Sequence, residues 1–114
     1  SVEHKNGDLS VLEEITKNYA SESPSTCIIT RTLKDAIAVY NGLKKDIEGL
    51  RICDNKSCQL SQAPVVMPLA LTKGLEFDTV IVVDNGSFSN DESKKHLYLA
   101  ATRALHKLNI FTIE

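Results

Sequence analysis

The chain has no surplus of basic residues, since 13 Lys and Arg stand against 15 Asp and Glu and the formal net charge is -2. A free-standing nucleic-acid-binding domain is usually basic, so any polyanion would have to be met by a local group of cations. No apolar run is long enough to span a bilayer, and residues 1–10 lack the hydrophobic core of a signal peptide. These absences predict a cytoplasmic protein without a membrane partner.

Cysteine is also scarce. Cys27, Cys53 and Cys58 are an odd number in a chain that has no secretory signal, which favours reduced thiols over a disulfide framework. Only four residues separate Cys53 from Cys58, but zinc would need two further ligands, and the three histidines are dispersed along the chain. We therefore expect the domain to hold no metal.

What is present is a pattern of alternating helices and strands. With 114 residues, of which 42% are hydrophobic, the chain suits one domain with a single core. Ser10 and Glu13 are spaced to form a capping box at the start of the first helix. The predicted elements are helix 8–20, strand 26–31, helix 33–48, short strand 50–53, strand 64–71, strand 78–84, helix 94–107 and strand 108–113. This order predicts an α/β fold with a parallel or mostly parallel sheet and helices on both faces.

A charged turn precedes the most apolar strand, in the stretch LTKGLEFDTVIVVD at residues 71–84. The run 80–83 is typical of a strand that is covered on both faces. In such sheets ligands bind beside strand ends, and Gly74 would let the backbone approach a phosphate or a sugar closely. Lys73 and Glu76 supply a cation and an acceptor beside it. The turn is therefore a candidate binding site.

Arg103 is a second candidate. On the predicted helix it lies well away from the apolar arc, and the small residues of that helix would let it approach the sheet closely. A planar guanidinium is the side chain best suited to bind a phosphate. The alternative is a solvated surface arginine. The apolar arc consists of Leu97, Ala101, Ala104, Leu105 and Leu108.

Three segments together resemble the superfamily 1 helicases of the UvrD/Rep kind. KGLEFDTVIVVD (73–84) resembles motif V, and YLAATRA (98–104) resembles motif VI. TCIITRT (26–32) is similar to the strand-plus-arginine segment that precedes them, and TRALHKLNIF resembles the helicase-IV-like or HelD-like branch. The resemblance implies that residues 1–114 are a single C-terminal helicase domain from a larger protein, with a three-layer RecA-like (P-loop NTPase-like) fold.

The resemblance also implies roles for individual residues. Arg103 would be the catalytic arginine that reaches the γ-phosphate of ATP, and Gly74 and Glu76 would form the ribose contact. Lys73 and Arg31 lie in segments that line the nucleic-acid path or the cleft. The implied partners are the N-terminal RecA-like domain of the same chain and single-stranded or duplex DNA. The parent protein would be an ATP-dependent DNA helicase.

The sequence departs from the family pattern in several ways. Ala70 stands where the family often has histidine, Asn85 follows Asp84 in place of an acidic residue, and there is no room before motif V for a large 2B domain. No G-x-x-x-x-G-K-[ST] motif occurs, so the phosphate cradle is missing. We therefore expect ATP and Mg²⁺ to be bound only in the parent, and the isolated chain to be inactive.

Two alternatives stay open from the sequence. One is a self-sufficient doubly wound binding or regulatory domain, in which Arg103 would be structural and the partners would be proteins. The other is a HelD-like motor that acts on RNA polymerase rather than on duplex DNA.

Overall fold

The computed structural model describes residues 2–23, 25–60, 64–86, 88 and 90–114. Its elements are β1 (Val2–Gly7), α1 (Leu9–Glu22), β2 (Thr26–Thr30), α2 (Leu33–Leu43), β3 (Arg51–Ile52), β4 (Val65–Pro68), β5 (Phe77–Asp84), α3 (Asp91–Ala101) and β6 (Ala104–Ile113). The strands form one sheet in the order β1-β6-β5-β2-β4-β3. Every strand pair is parallel, as the alternation of helices and strands predicted.

Helices cover both faces of this sheet. Successive residues of a strand point to opposite faces, and the two buried clusters follow that rule along β2 and β5. One cluster joins Cys27, Ile29, Val80 and Val82 to α3 through Ala100. The other joins the alternate residues of the same strands to α1 and α2. The predicted three-layer α/β architecture is therefore confirmed.

The helix predicted over 94–107 is wrong in its second half, because α3 ends at Ala101 and β6 begins at Ala104. Residues 104–107 were predicted as helix, but Ala104 pairs with Phe77 and Lys107 with Thr79 of β5 instead. Tertiary pairing overrides weak propensity in such cases. Arg103 consequently lies in the connection between a helix and a strand, not on a helix.

The start of the first helix also differs from the prediction. Asp8 is the N-cap, and its carboxylate accepts hydrogen bonds from the amides of Ser10 and Val11 at 3.0 and 3.2 Å. A capping box at Ser10 and Glu13 is therefore wrong. Asp8 lies one residue after β1, so the helix starts as soon as that strand ends.

Smaller differences concern the ends of other elements. Helix α2 ends at Leu43 rather than near residue 48, and β4 ends at Pro68, where the chain turns into a 3₁₀ helix (Leu69–Leu71) instead of continuing as a strand to residue 71. Strand β1 was not predicted at all. Its side chains are almost all exposed and polar, so it carries no alternation of apolar and polar residues.

Candidate functional site

The segment between β4 and β5 is a pair of tight turns. The backbone amide and the hydroxyl of Thr72 both donate to the carbonyl of Leu69, at 3.0 and 2.7 Å, and the amide of Leu75 donates to the carbonyl of Thr72 at 2.9 Å. Gly74 is the third residue of this second turn and has a φ of 80°. A positive φ at that position is typical of a type II turn, where glycine is favoured. A Cβ on Gly74 would meet no atom within 4 Å, so the backbone angle is what requires glycine.

The charged residues of this turn face solvent. Leu71 and Leu75 pack against the core on the α3 face of the sheet. Lys73, Gly74 and Glu76 are exposed. The turn is thus anchored by two apolar side chains and presents a cation, a flexible backbone position and a carboxylate to a binding partner.

Arg103 is held next to this turn by its backbone. Its amide donates to the carbonyl of Ala100 at 3.1 Å, and its carbonyl accepts from the amide of Phe77 at 2.9 Å. Because Phe77 directly follows Glu76, the fold brings the candidate residues Glu76 and Arg103 together at the amino-terminal ends of β5 and β6. The structure thus brings the motif V and motif VI segments together, and the roles of their residues stay predictions.

The side chain of Arg103 retains hydrogen-bonding capacity. It is partly buried, and its Nε is shielded from solvent without a hydrogen-bond partner among the described residues. Two other basic side chains at this end of the strands lie near carboxylates: His106 Nε2 is 3.7 Å from Asp78, and Lys107 Nζ is 2.8 Å from Glu22. The Glu22 carboxylate raises the pKa of Lys107. A buried N–H without an acceptor is unfavourable, so an anion that bound Arg103 would gain from satisfying it.

Helix α3 carries a further polar atom that the sequence did not single out for this property. The Nδ1 of His96 is also shielded and has no hydrogen-bond partner among the residues that the structure describes. The sequence offers no signal for this, because it depends on how α3 lies against the sheet.

Arg31 lies at the opposite end of the strands from Arg103. It follows β2, whose carboxyl end is level with the carboxyl end of β5. Strands rise about 3.3 Å per residue, so the length of β5 places Arg31 roughly 25 Å from Arg103. Its Nε is likewise buried without a partner in the described part of the chain. The fold therefore separates Arg31 from the Glu76–Arg103 site.

Lys73 lines a cavity of about 400 Å³ on the α3 side of the sheet. Ala70, which stands where the resembling family often has histidine, and Lys56 line the same cavity. Lys56 was not a candidate from the sequence, because it is 17 residues from Lys73 and the two loops meet only in the folded chain. The cavity thus has two lysines in its wall.

Asp84 is the last residue of β5, as predicted, and its carboxylate accepts a hydrogen bond from the amide of Gly86 at 2.8 Å. Within the described ranges, no three His, Cys, Asp or Glu residues are grouped so that they could hold a metal ion. None of the described helices is both long enough and apolar enough to cross a membrane.

Comparisons with known proteins agree with this geometry. Residues 61–111, which contain the charged turn and Arg103, match the family model of the UvrD-like helicase C-terminal domain. Among solved structures, the C-terminal domain of a possible DNA helicase from Lactobacillus plantarum WCFS1 is similar with a TM-score of 0.77 and 24% identity, covering 99% of this chain and 74% of that one. A search of curated proteins found no match. Neither similarity distinguishes a HelD-like branch. The chain therefore has the fold of that helicase C-terminal domain and, over residues 61–111, the sequence features of a UvrD-like one.

Proposed function

We propose that this chain is the second RecA-like domain of an ATP-dependent DNA helicase or translocase of the UvrD/Rep kind. The observation that carries the proposal is the hydrogen bond between Phe77 and Arg103, which joins the two family segments at one edge of the sheet. Arg103 combines a buried, unsatisfied Nε with a backbone hydrogen bond to the residue that follows Glu76, which supports a shared role with the turn. The proposed location is the cytoplasm.

In this proposal Arg103 acts on the γ-phosphate. During hydrolysis water attacks the γ-phosphorus, the bond to the ADP oxygen breaks, and negative charge is spread over the transferring group. A guanidinium placed there stabilises that charge, and such arginines contribute on the order of 10³–10⁵ in rate. The unsatisfied Nε of Arg103 supports this role, because a phosphate oxygen is an acceptor that would satisfy it.

The ribose would be bound by the turn. Glu76 is exposed and can accept a hydrogen bond from a sugar hydroxyl, and Gly74 leaves open space for a close approach. Mg²⁺ and the P-loop would come from the N-terminal RecA-like domain of the same protein, because the sequence contains no P-loop motif. The chain alone is therefore expected to hydrolyse no ATP.

DNA would be bound through local cations rather than a basic surface. Arg31 and Lys73 are the candidates, and neither forms an ion pair with a carboxylate among the described residues. Arg31 lies at the opposite end of the strands from Arg103, whereas Lys73 directly precedes Gly74 on the cavity wall, so only Arg31 is far from the proposed nucleotide site. Phosphate contacts of this kind are independent of base sequence and weaken with salt.

The test is mutation of Arg103 in the full-length protein that joins this domain to its P-loop domain. Arg103→Ala should lower kcat for ATP hydrolysis by roughly 10³-fold, about 4 kcal/mol of barrier. Arg103→Lys should recover little, since an ammonium cannot reproduce the planar donors. Arg51→Ala is the matched control, because Arg51 is an exposed arginine on β3 at the far end of the sheet. A folded Arg103→Ala protein with nearly unchanged kcat would show that the proposed catalytic role is wrong.

Glu76→Gln tests the ribose contact separately. Removing a ground-state sugar contact should raise KM for ATP more than it lowers kcat. Thermal melts of each variant should be close to those of the parent, because Glu76 is exposed and makes no hydrogen bond in the described structure. An equal loss in kcat and kcat/KM would instead indicate that Glu76 makes its contact with the nucleotide only in the transition state.

A further inference from the structure

Three cysteines from different segments converge beside the cavity that Lys73 lines. Cys27 lies in β2 and is fully buried, Cys53 follows β3 and is 3% exposed, and Cys58 is partly exposed. All three contribute to the core on the α3 face. Cys53 and Cys58 also line the cavity itself. Reduced thiols were predicted from the sequence, but their convergence was not, because Cys27 meets the other two only through the pairing of strands.

A tight turn around Asn55 brings Cys53 and Cys58 together. The amide of Cys53 donates to the carbonyl of Val66 at 2.8 Å, which fixes it to β4. The amide of Ser57 donates to the side chain of Asn55 at 2.9 Å, and the amide of Cys58 donates to its carbonyl at 3.3 Å. The Sγ of Cys53 also donates to the carbonyl of Asn55, at 3.6 Å, so both cysteines meet at this carbonyl and their side chains line the same cavity.

The two thiols differ in accessibility. Burial, followed by the hydrogen bond with Cys58, raises the pKa of Cys53 to about 11. Burial also raises the pKa of Cys27 well above its ordinary value. Both therefore stay protonated at neutral pH, and Cys58 is the thiol that a reagent in solution reaches first. Lys56 and Lys73 line the same cavity and would attract an anionic reagent.

We propose that Cys53 and Cys58 form a thiol–disulfide exchange site, which closes to a reversible intrachain disulfide with an anionic low-molecular-weight disulfide such as oxidised glutathione. The inference does not depend on the proposed helicase function. It rests on the position of Cys53 and Cys58 on one turn and one cavity wall, on the unequal exposure of their side chains, and on the two lysines that line the same cavity.

The exchange proceeds in two displacements. The thiolate of Cys58 attacks one sulfur of oxidised glutathione, whose S–S bond breaks and releases one glutathione thiolate. Cys53 then loses its proton to solvent and attacks the Cys58 sulfur of the mixed disulfide, releasing the second glutathione. Two protein thiols are oxidised to one disulfide, and one glutathione disulfide is reduced to two glutathione molecules.

The test is to incubate the native chain with oxidised glutathione, stop the exchange with acid, and measure intact and peptide masses. The wild-type chain should lose two hydrogen atoms, retain no glutathione, and return to its original mass with a dithiol reductant. Tryptic cleavage after Lys56 separates Cys53 from Cys58, so the disulfide appears as a linked pair of peptides. A wild-type chain that stays reduced, or that keeps glutathione on Cys58, would overturn the proposal.

Single substitutions define the order of attack. Cys53→Ser should stop at one retained glutathione on Cys58, whereas Cys58→Ser should react with none. Cys27→Ala is the matched control and should behave like the wild type. In the wild-type, Cys53→Ser and Cys58→Ser chains, Cys27 should resist alkylation until denaturant is added, which verifies that each is folded. Modification of Cys53 in the folded Cys58→Ser chain would contradict the assignment of Cys58 as the attacking thiol.

Discussion

At the scale of single residues, backbone conformation explains why two positions with open space for a side chain are glycine. Gly74 and Gly86 have φ angles of 80° and 96°, and a Cβ on either would meet no atom within 4 Å. An L-residue with a side chain is strained in this region by about 1–2 kcal/mol. Gly74 lies in the proposed ribose-binding turn and Gly86 follows β5 at the other edge of the sheet, so they form a matched pair.

Gly74→Ala and Gly86→Ala should each lower the free energy of unfolding by about 1 kcal/mol, because both replace glycine at a positive φ without a steric clash. Urea unfolding of the two chains measures this. In the full-length protein, only Gly74→Ala should also raise KM for ATP. If Gly86→Ala raised KM to the same extent, the effect would come from lower stability and not from the turn.

The sequence predicted the residues of the candidate site but not their surroundings. Gly74, Glu76 and Arg103 were proposed from short motifs, and such motifs can be recognised from consecutive residues of the sequence. The hydrogen bond from Phe77 to Arg103 and the meeting of Lys56 with Lys73 join distant segments, so no local pattern could contain them. Arg31 was predicted to line the nucleic-acid path or the cleft, and the length of β5 separates it from Arg103.

At the scale of elements, helix ends decided where the sequence prediction failed. Helix α1 is capped by Asp8 rather than by Ser10, and α3 ends before Arg103. Long apolar runs such as β5 were predicted well, because burial on both faces leaves a clear pattern. Boundaries depend instead on competition between local propensity and pairing with a neighbouring strand, which a single sequence does not reveal.

The cap of α1 should make stability depend on pH. Hydrogen bonds from Ser10, with those from the backbone, lower the pKa of Asp8 below 3.8. The carboxylate therefore contributes stability above pH 3.8, and that contribution is lost as the pH falls through the lower folded pKa. Asp8→Asn keeps a neutral cap, so its melting temperature should be lower than that of the wild type at pH 7, and the difference should shrink near pH 3.

Asp8→Ala, which removes the cap, should melt below Asp8→Asn at every pH, since the amides of Ser10 and Val11 lose their acceptor. Thermal melts followed by circular dichroism compare the three chains. A constant difference between the wild type and Asp8→Asn from pH 7 to pH 3 would mean that the Asp8 charge contributes nothing.

At the scale of the whole molecule, the alternation of helices and strands predicted the layers and the parallel sheet but not the order of its strands. Strand β4 lies between β2 and β3, and β1 pairs with β6, the last strand of the chain. Strand order depends on which crossover each connection makes, and several orders satisfy the same pattern of elements. Because β1 has no apolar face, only the structure identified it as part of the sheet.

Removal of residues 1–7 should expose β6 as an edge strand. Its unpaired backbone groups would then be available to another molecule, so we expect lower thermal stability and association that increases with concentration. Sedimentation velocity of the truncated and intact chains at matched concentrations measures the association. A truncated chain that stays monomeric and is equally stable would show that β1 neither stabilises the sheet nor protects β6 from association.

The pairing of β1 with β6 also orders events during synthesis. Val2 lies opposite Leu108, so β1 emerges from the ribosome before the other strands of this domain but finds its partner only when nearly all of residues 1–114 have emerged. Closing so long a loop is slow, and during synthesis β1 has no partner strand while β2, β4 and β5 can already pair. The charged, exposed residues of β1 suit this period, because they keep the unpaired strand hydrated and limit its association with other nascent chains.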